Sequence, residues 1–307
     1  MARGTEMQPN NSLSLPELGD PHRTIGQRTF DFSKQVAVMA ILNRTQDSFY
    51  DHGATFTFEA ALAKVESDLE GGADWIDIGA VPFSPIAVSV DEEEEINRIV
   101  PLIEYIRGRT DAVLSVDTFR SEVAKRALAA GADVINDTSG LSDPRMAGVI
   151  AEARACVVIT HSKARPREQL RNPTYEDVVS EVREFLIARS AYAQGQGIDP
   201  AKIIVDPGHD LNKNTYHSLE LTRRLSELND LGYPLLVAVS NKDFIAETLD
   251  APQDELGPGT IAAIVICVLQ GARIVRVHDP RTVISAINVV AAMLGWRLPP
   301  SPKHNLG

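Results

Sequence analysis

Three features of the sequence predict an α/β fold, a (β/α)8 TIM barrel over residues 30–297. Short, nearly continuous apolar runs alternate eight times with longer stretches of helical apolar spacing. Runs of that kind suit parallel strands covered on both faces. The phrases G-G-A-D-W-I-D-I, A-G-A-D-V-I-N-D and Q-G-A-R-I-V-R-V recur where a helix hands over to a strand, with glycine stopping the helix. Eight units in a chain of 307 residues match a closed barrel better than an open sheet. No boundary between two domains is visible.

Taken in order, residues 1–29 are rich in Asn, Ser and Pro and are read as a flexible tail. Strand one is expected from Val36 to Leu42, followed by the loop N-R-T-Q-D-S-F-Y-D-H-G and a helix from Phe58 to Glu70, stopped by Gly71-Gly72. Strand two, Trp75 to Ile78, leads through G-A-V-P-F-S-P-I-A to a helix from Asp91 to Arg107. That helix opens with D-E-E-E-E, which suits the positive end of a helix and is read as a solvated face. Strand three is Val113–Val116, with a helix over Ser121–Ala130, and strand four is Val134–Ile135. A helix from Pro144 to Ala153 precedes strand five, Cys156–Thr160. A long loop containing His161 and a helix from Tyr175 to Gln194 lead to strand six, Ile203–Val205. The last units pair a helix over Thr215–Leu228 with strand seven, Leu235–Val239, and a helix over Gly259–Gln270 with strand eight, Ile274–Val277. A helix from Thr282 to Leu294 closes the series, and residues 298–307 form a C-terminal tail.

The polar residues that follow these strands are Asn43, Asp117, Asn136, His161, Asp206, Lys242, and Arg276 with His278. In parallel α/β barrels ligands bind at the carboxyl ends of the strands. Each residue alone has an ordinary explanation: Asp117 could cap a helix, Asn136 and Asp137 could build a turn, and His161 could be a satisfied hydrogen-bonding histidine. Their convergence on one rim points to a site. A carboxylate such as Asp206 can accept two parallel N–H bonds from an amidine-like edge. Asn136 offers donor and acceptor together. Arg276 and His278, two apart on a strand, share a face and could bind a phosphate-like group, with Lys242 adding a compact charge. Asn43 could give an oxygen to Mg2+, which takes few protein ligands beside substrate phosphates. The residues therefore suit a polar heterocycle next to a pyrophosphate.

Bulk properties narrow the partners. The chain is 44% hydrophobic, enough for a sizeable core, and its 42 acidic against 30 basic residues give a formal charge of -12. That balance argues against nucleic acid or an anionic membrane as a partner. Cys156 and Cys267 lie in apolar runs without metal-ligand spacing and are read as buried hydrophobes in a reducing compartment. The first 29 residues lack the apolar core of a signal peptide, and the longest apolar run, Ile261 to Leu269, is short for a bilayer. A cytoplasmic location is expected.

The motifs M-A-I-L-N-R-T-Q-D-S-F, L-S-V-D-T, V-I-N-D-T-S-G, I-V-D-P-G, V-S-N-K-D-F and I-V-R-V-H-D, in this order, resemble dihydropteroate synthase over almost the whole barrel. The resemblance implies a condensation of hydroxymethyl-dihydropterin diphosphate with p-aminobenzoate, giving dihydropteroate and pyrophosphate in folate biosynthesis, with Mg2+ as cofactor. It implies that Asp117, Asn136, Asp206 and Lys242 hold the pterin, and that Arg276, His278 and Asn43 hold the diphosphate and its metal. Asp117 and Lys242 would be catalytic, with Asp117 stabilising a cationic methylene; Ser240 and Lys242 would border the aminobenzoate. A homodimer through the late, apolar helices is implied as well.

The sequence also departs from that family. Phe83 and Ser84 stand where Thr and Arg of the second loop are expected, and Arg44 and Gln46 replace Val and Pro in the first. Arg44 is a candidate to replace the lost charge. Thr160-His161-Ser162 replaces M-H-M, Leu211 replaces an aromatic residue, and S-R-K has become Ser240-Asn241-Lys242. Groups on strand ends are kept while the closing loops are altered. Three readings follow: a synthase with weakened activity, a catalytically inactive paralogue that keeps a pterin and sulfone pocket, and a related methyltransferase module. Arg276, His278 and Asn43, directed at diphosphate, argue against the third.

Overall fold

The computed structural model describes residues 15–45, 56–81, 89–168 and 170–304. Gln46, Phe83 and Ser84 lie outside the described residues, with the rest of 46–55 and 82–88. A hairpin of β1 (His22–Ile25) and β2 (Arg28–Asp31) comes first. The barrel strands are β3 (Ala37–Asn43), β4 (Trp75–Gly79), β5 (Val113–Asp117), β6 (Val134–Asp137), β7 (Cys156–Thr160), β8 (Ile203–Asp206), β9 (Leu235–Val237) and β10 (Ala272–Val277). All their pairings are parallel, and β10 pairs with β3 to close the cylinder. The predicted (β/α)8 TIM barrel is therefore the observed fold.

Around it run α1 (Phe58–Glu70), α2 (Glu92–Arg107), α3 (Ser121–Ala129), α4 (Met146–Ala153), α5 (Val178–Gly195), α6 (Thr215–Arg223), α7 (Asp243–Leu249), α8 (Gly257–Leu269) and α9 (Pro280–Met293). Local chemistry sets their starts: the side chains of Thr57, Asp91, Asp177, Asn214 and Asp279 each accept a backbone N–H in the first turn of α1, α2, α5, α6 and α9. The short α7 falls in a stretch to which the sequence pattern assigns no element, and the expected helix over 215–228 ends as α6 before a 3-10 turn, Leu225–Leu231.

Alternate strand residues point outward into a large core under the helices and inward into a smaller one. The inner core holds Ala37, Met39, Trp75, Val113, Val134, Cys156, Val158, Ile204, Leu236 and Ile274, together with Ile25, Phe30 and Phe32. The hairpin thus stops the amino-terminal end of the barrel. Phe30 stacks on Phe32 at 5.6 Å and tilts against Trp75 at 5.9 Å. The stretch assigned to a flexible tail up to residue 29 is corrected here, because residues 22–29 belong to this hairpin. Its turn is made by Gly26 and Gln27, with Gly26 at φ 58°, a conformation glycine adopts without strain.

The acidic start of α2 also differs from expectation. Glu92, Glu93 and Glu94 are exposed, but Glu95 is buried, accepting from Thr118 Oγ1 at 2.7 Å and from Arg120. Burial pushes its carboxyl above the ordinary range. The pair ties α2 to the end of β5. Both cysteines are free and buried as expected, and among the described residues no helix is long and apolar enough to cross a membrane.

Candidate functional site

The barrel register lines up the polar strand ends. Asn43 pairs with Gly79, Gly79 with Asp117, and Asp117 with Asn136, so one row crosses β3 to β6. Gly79 keeps that row open, since a Cβ there would lie 3.5 Å from both Asn43 Oδ1 and Asp117 Cβ. On the far side Asp206 ends β8, and Arg276 reaches inward from β10.

Asp117, Asn136, Asp206, Lys242 and Arg276 line one small cavity of about 90 Å3, with Thr138, Gly208, His209, Leu211 and Ala238. The structure brings these five expected residues together. Ser240 and His278 sit beside them as a pair, Ser240 Oγ lying 3.0 Å from His278 Nδ1. Ser240 also faces a separate cavity between the segments that follow β9 and β10. His161 does not line the small cavity. It is buried behind the rim, with Nδ1 2.9 Å from Lys213 Nζ. Asp117 does not cap α3, whose first amide, Ser121 N–H, donates to Asp143. Asp137 does build the turn, accepting from Ser139 and Leu141, and this leaves Asn136 to the cavity.

The electrostatics of this floor depend on a residue the sequence reading missed. Asp77, fully buried on β4, accepts from Arg276 Nε at 2.6 Å and from Asn136 Nδ2 at 3.1 Å through the same oxygen. Arg276 Nη2 donates to Asp117 at 3.0 Å. Asp77 therefore orients the arginine and the asparagine at once. A carboxylate inside the apolar run W-I-D-I-G, two residues before the rim glycine, was its signal in the sequence.

Burial pushes Asp117 up to about 7; Arg276 opposes that rise, while Asp77, Glu95 and Asp137 add to it. Burial also raises Asp206, against the pull of the Gly208 N–H and of Lys242 and Lys213. Asp206 Oδ1 accepts from Gly208 N–H at 2.8 Å, and Gly208 stands at φ 68° with a Cβ position 2.2 Å from His161 O, which only glycine can satisfy. Lys242 Nζ donates to His209 O at 3.2 Å. Lys213, which the sequence reading gave no role, is buried and donates to His161 Nδ1, Gly208 O and Leu211 O; burial brings it down to about 7.

Arg44 is turned away from this floor. It is buried and donates to Phe56 O at 2.8 Å and to Arg98 O, while Arg98 donates back to Arg44 O and to Ala80 O. It ties the base of the first loop to α2 and so does not replace the missing loop cation. Arg276 is likewise already engaged, by Asp77 and Asp117.

Two carboxylates, one amide and two cations thus present donors and acceptors around one small cavity. The family model described as pterin binding enzyme matches residues 39–278. A protein of Mycobacterium leprae named inactive dihydropteroate synthase 2 is 42% identical over 268 residues, covering 85% of this chain and 92% of its own length. The dihydropteroate synthase of Synechocystis is 38% identical, covering 92% of this chain and 99% of its own. The structure of Xanthomonas albilineans dihydropteroate synthase with 4-aminobenzoic acid superposes with a TM-score of 0.82 at 36% identity, over 89% of this chain and 98% of that one.

Proposed function

The chain belongs to the pterin-binding enzyme family, with dihydropteroate synthases among its relatives, and we propose that it binds hydroxymethyl-dihydropterin diphosphate and supports the dihydropteroate synthase condensation at a much reduced rate. One observation carries the pterin assignment. Asn136 Oδ1, at the wall of the small cavity, is buried without a hydrogen-bond partner. Such an acceptor costs about 1–3 kcal/mol, and the N–H groups of a pterin would satisfy it. Asp206 takes the amino-pyrimidinone edge, with Lys242 and Asn136 around the ring. Arg276 and His278 meet the diphosphate, and Ser240 borders the p-aminobenzoate.

In the reaction the aminobenzoate nitrogen forms a bond to the pterin methylene carbon. The bond from that carbon to the diphosphate oxygen breaks, and the nitrogen gives up a proton. Ionised Asp117 and the charge of Lys242 act here, Asp117 by stabilising positive charge on the methylene. The donor set fits Mg2+: Asn43 offers an amide oxygen in the same row as the Asp117 carboxylate, and this ion takes few protein ligands beside phosphate. Bound there, it would neutralise diphosphate charge.

A second reading, a pterin-binding protein without turnover, is favoured by the ion pairs of Arg276. Asp77 and Asp117 offset the charge of this arginine and occupy its Nε and one of its Nη2 donors, and Arg44 supplies no substitute. Assay of pyrophosphate release with pterin diphosphate, p-aminobenzoate and Mg2+ separates the two. Turnover of about 1 s⁻¹ or more excludes the inactive reading; tight binding without turnover excludes the synthase. If the second loop is the defect, Phe83→Thr with Ser84→Arg raises the rate, by up to about 10²–10³.

Exposed apolar residues on the late helices, Ile266, Val289 and Met293, support a homodimer; a monomer in sedimentation at micromolar concentration would refute it. The free, buried cysteines support a cytoplasmic location.

A further inference from the structure

Around Asp206, at the end of β8, the hydrogen bonds close a ring. Asp206 O accepts from His161 N–H at 2.9 Å, which fastens the end of β8 to the residue that follows β7. Asp206 Oδ1 accepts from Gly208 N–H at 2.8 Å. Gly208 O in turn accepts from Lys213 Nζ at 2.8 Å, and Lys213 Nζ lies 2.9 Å from His161 Nδ1. The ring runs from Asp206 through Gly208, Lys213 and His161 and back to Asp206. A further donation from Lys213 Nζ, to Leu211 O at 3.2 Å, gives the ammonium three acceptors for its three N–H groups.

His161 has to be neutral to accept from a lysine, and burial holds its imidazole down to about 2. Its ring packs edge-on against Phe185 at 4.9 Å, which keeps it in place. Charge in this ring matters to the floor, because Asp206 accepts two N–H groups of a heterocycle edge best as a carboxylate. Burial pushes that carboxyl up, and the Gly208 N–H and the charges of Lys242, Lys213 and Arg276 oppose the rise. Lys242 and Arg276 line the small cavity, whereas Lys213 lies outside it, at the wall of the wider cavity above.

We infer that Lys213 is a positioning residue for pterin binding, whose ammonium closes the ring that aims the Asp206 carboxylate and sets a compensating charge beside it. This role rests on the pterin reading of the floor and adds to it a residue that acts without touching the ligand. It also makes binding depend on pH. Burial brings Lys213 down to about 7; Asp206 and Asp210 favour its proton, while Lys242 and Lys163 disfavour it. Around it His161 and His209 stay neutral, and His217 on α6 is lowered by burial and by Lys213 itself. The ammonium is present below about pH 7 and is lost above it, and its support of Asp206 goes with it.

Calorimetric titration of the whole protein with 6-hydroxymethylpterin, at about pH 6 and about pH 9, tests this. Lys213→Met keeps the length of the side chain and removes its charge. It is expected to bind at least about tenfold more weakly than the wild type at the lower pH, the loss of a charge-assisted contact. At the higher pH the two should agree within about threefold, because the wild-type lysine has then lost its proton as well. Titration of the ligand and of Asp117 is common to both proteins and cancels in their ratio. A purely structural role would give the same ratio at both pH values. That result, or a variant that binds like the wild type throughout, overturns the inference and leaves the pterin floor in place. His161→Asn, whose amide oxygen accepts where Nδ1 does, is expected to keep wild-type affinity at the lower pH, and His161→Leu to lose at least about threefold. Should Lys213→Met not fold, this pair decides, since equal affinity of the two His161 variants overturns the inference. Failure of hydroxymethylpterin to bind the wild type overturns the floor reading, and the role of Lys213 with it.

Discussion

Along β4 the inward-facing positions run Trp75, Asp77, Gly79, and along β10 they run Ile274, Arg276, with His278 just past its end. Both strands pass from an apolar lower layer to a charged upper one within two residues. At the lower end Trp75 and Ile274 pack with Phe30 and Phe32 of the hairpin, and every contact favours the folded state. At the upper end Asp117 and Asp206 are held where burial disfavours charge, as their raised carboxyls show. The same barrel geometry thus keeps stability at one end and recognition at the other. The lower layer makes the upper one affordable.

The sharpest way to break this comparison is at Asp206. Asp206→Ala removes the acceptor for the pterin edge and should weaken 6-hydroxymethylpterin by about 3–6 kcal/mol, the worth of two charge-assisted hydrogen bonds. Thermal stability should stay level or rise, because a desolvated carboxylate goes with it. Retained affinity by calorimetry would move the pterin away from this floor.

Trp75→Ala should do the reverse. Truncating a fully buried indole costs about 3–5 kcal/mol of folding stability, read from the denaturant midpoint. Pterin affinity of the fraction still folded should change by less than about threefold, since Trp75 lies a layer below the cavity and does not line it. A large loss of affinity in that variant would show that the two layers are not separable.

The division between layers also explains what was legible in the sequence. Parallel strands buried on both faces read as unbroken apolar runs, so the barrel and its rim residues Asn43, Asp117, Asn136, Asp206, Lys242 and Arg276 could be placed from pattern alone. The hairpin could not. H-R-T-I-G-Q-R-T-F-D alternates weakly, and its apolar residues gain meaning only against the open end of a barrel. Asp77 was hidden because a strand-period reading treats a lone charge in an apolar run as an interruption, whereas here it sits opposite Arg276, 199 positions later. Glu95 was hidden by its exposed neighbours in D-E-E-E-E. Arg44 was assigned a task its sequence position allows and its hydrogen bonds do not. In each case the missing information is a partner distant in sequence.

The smallest expected effect is the most specific to the upper layer, and it concerns pH. Asp117 titrates at about 7 in the folded protein, against 3.8 for an ordinary aspartate. Its folded pKa is raised, so the folded state holds the proton more tightly than the unfolded one. The contribution of Asp117 to stability is then full below about pH 4 and is lost as pH rises to about 7. Asp137, raised to about 6, acts in the same sense but is exhausted earlier. His161 and His209, lowered by burial from 6.5 to about 2 and about 3, act in the opposite sense and add stability as pH rises through 6.5. The share of Asp117 is therefore read as the difference between the wild type and Asp117→Asn. Lys213, lowered to about 7, works in the opposite sense and only above that value. Activity should run against stability, because the carboxylate that stabilises a cationic methylene must be ionised, and kcat should therefore climb through about pH 7. Between pH 6 and 7 the melting temperature of Asp117→Asn should fall less, or rise more, than that of the wild type, and the rise in kcat should vanish. Melting profiles that run parallel in wild type and variant across this interval, or a rate profile unchanged in the variant, would mean that Asp117 is held ionised by Arg276 throughout, and that the upper layer is a structural ion pair with no exposed catalytic charge.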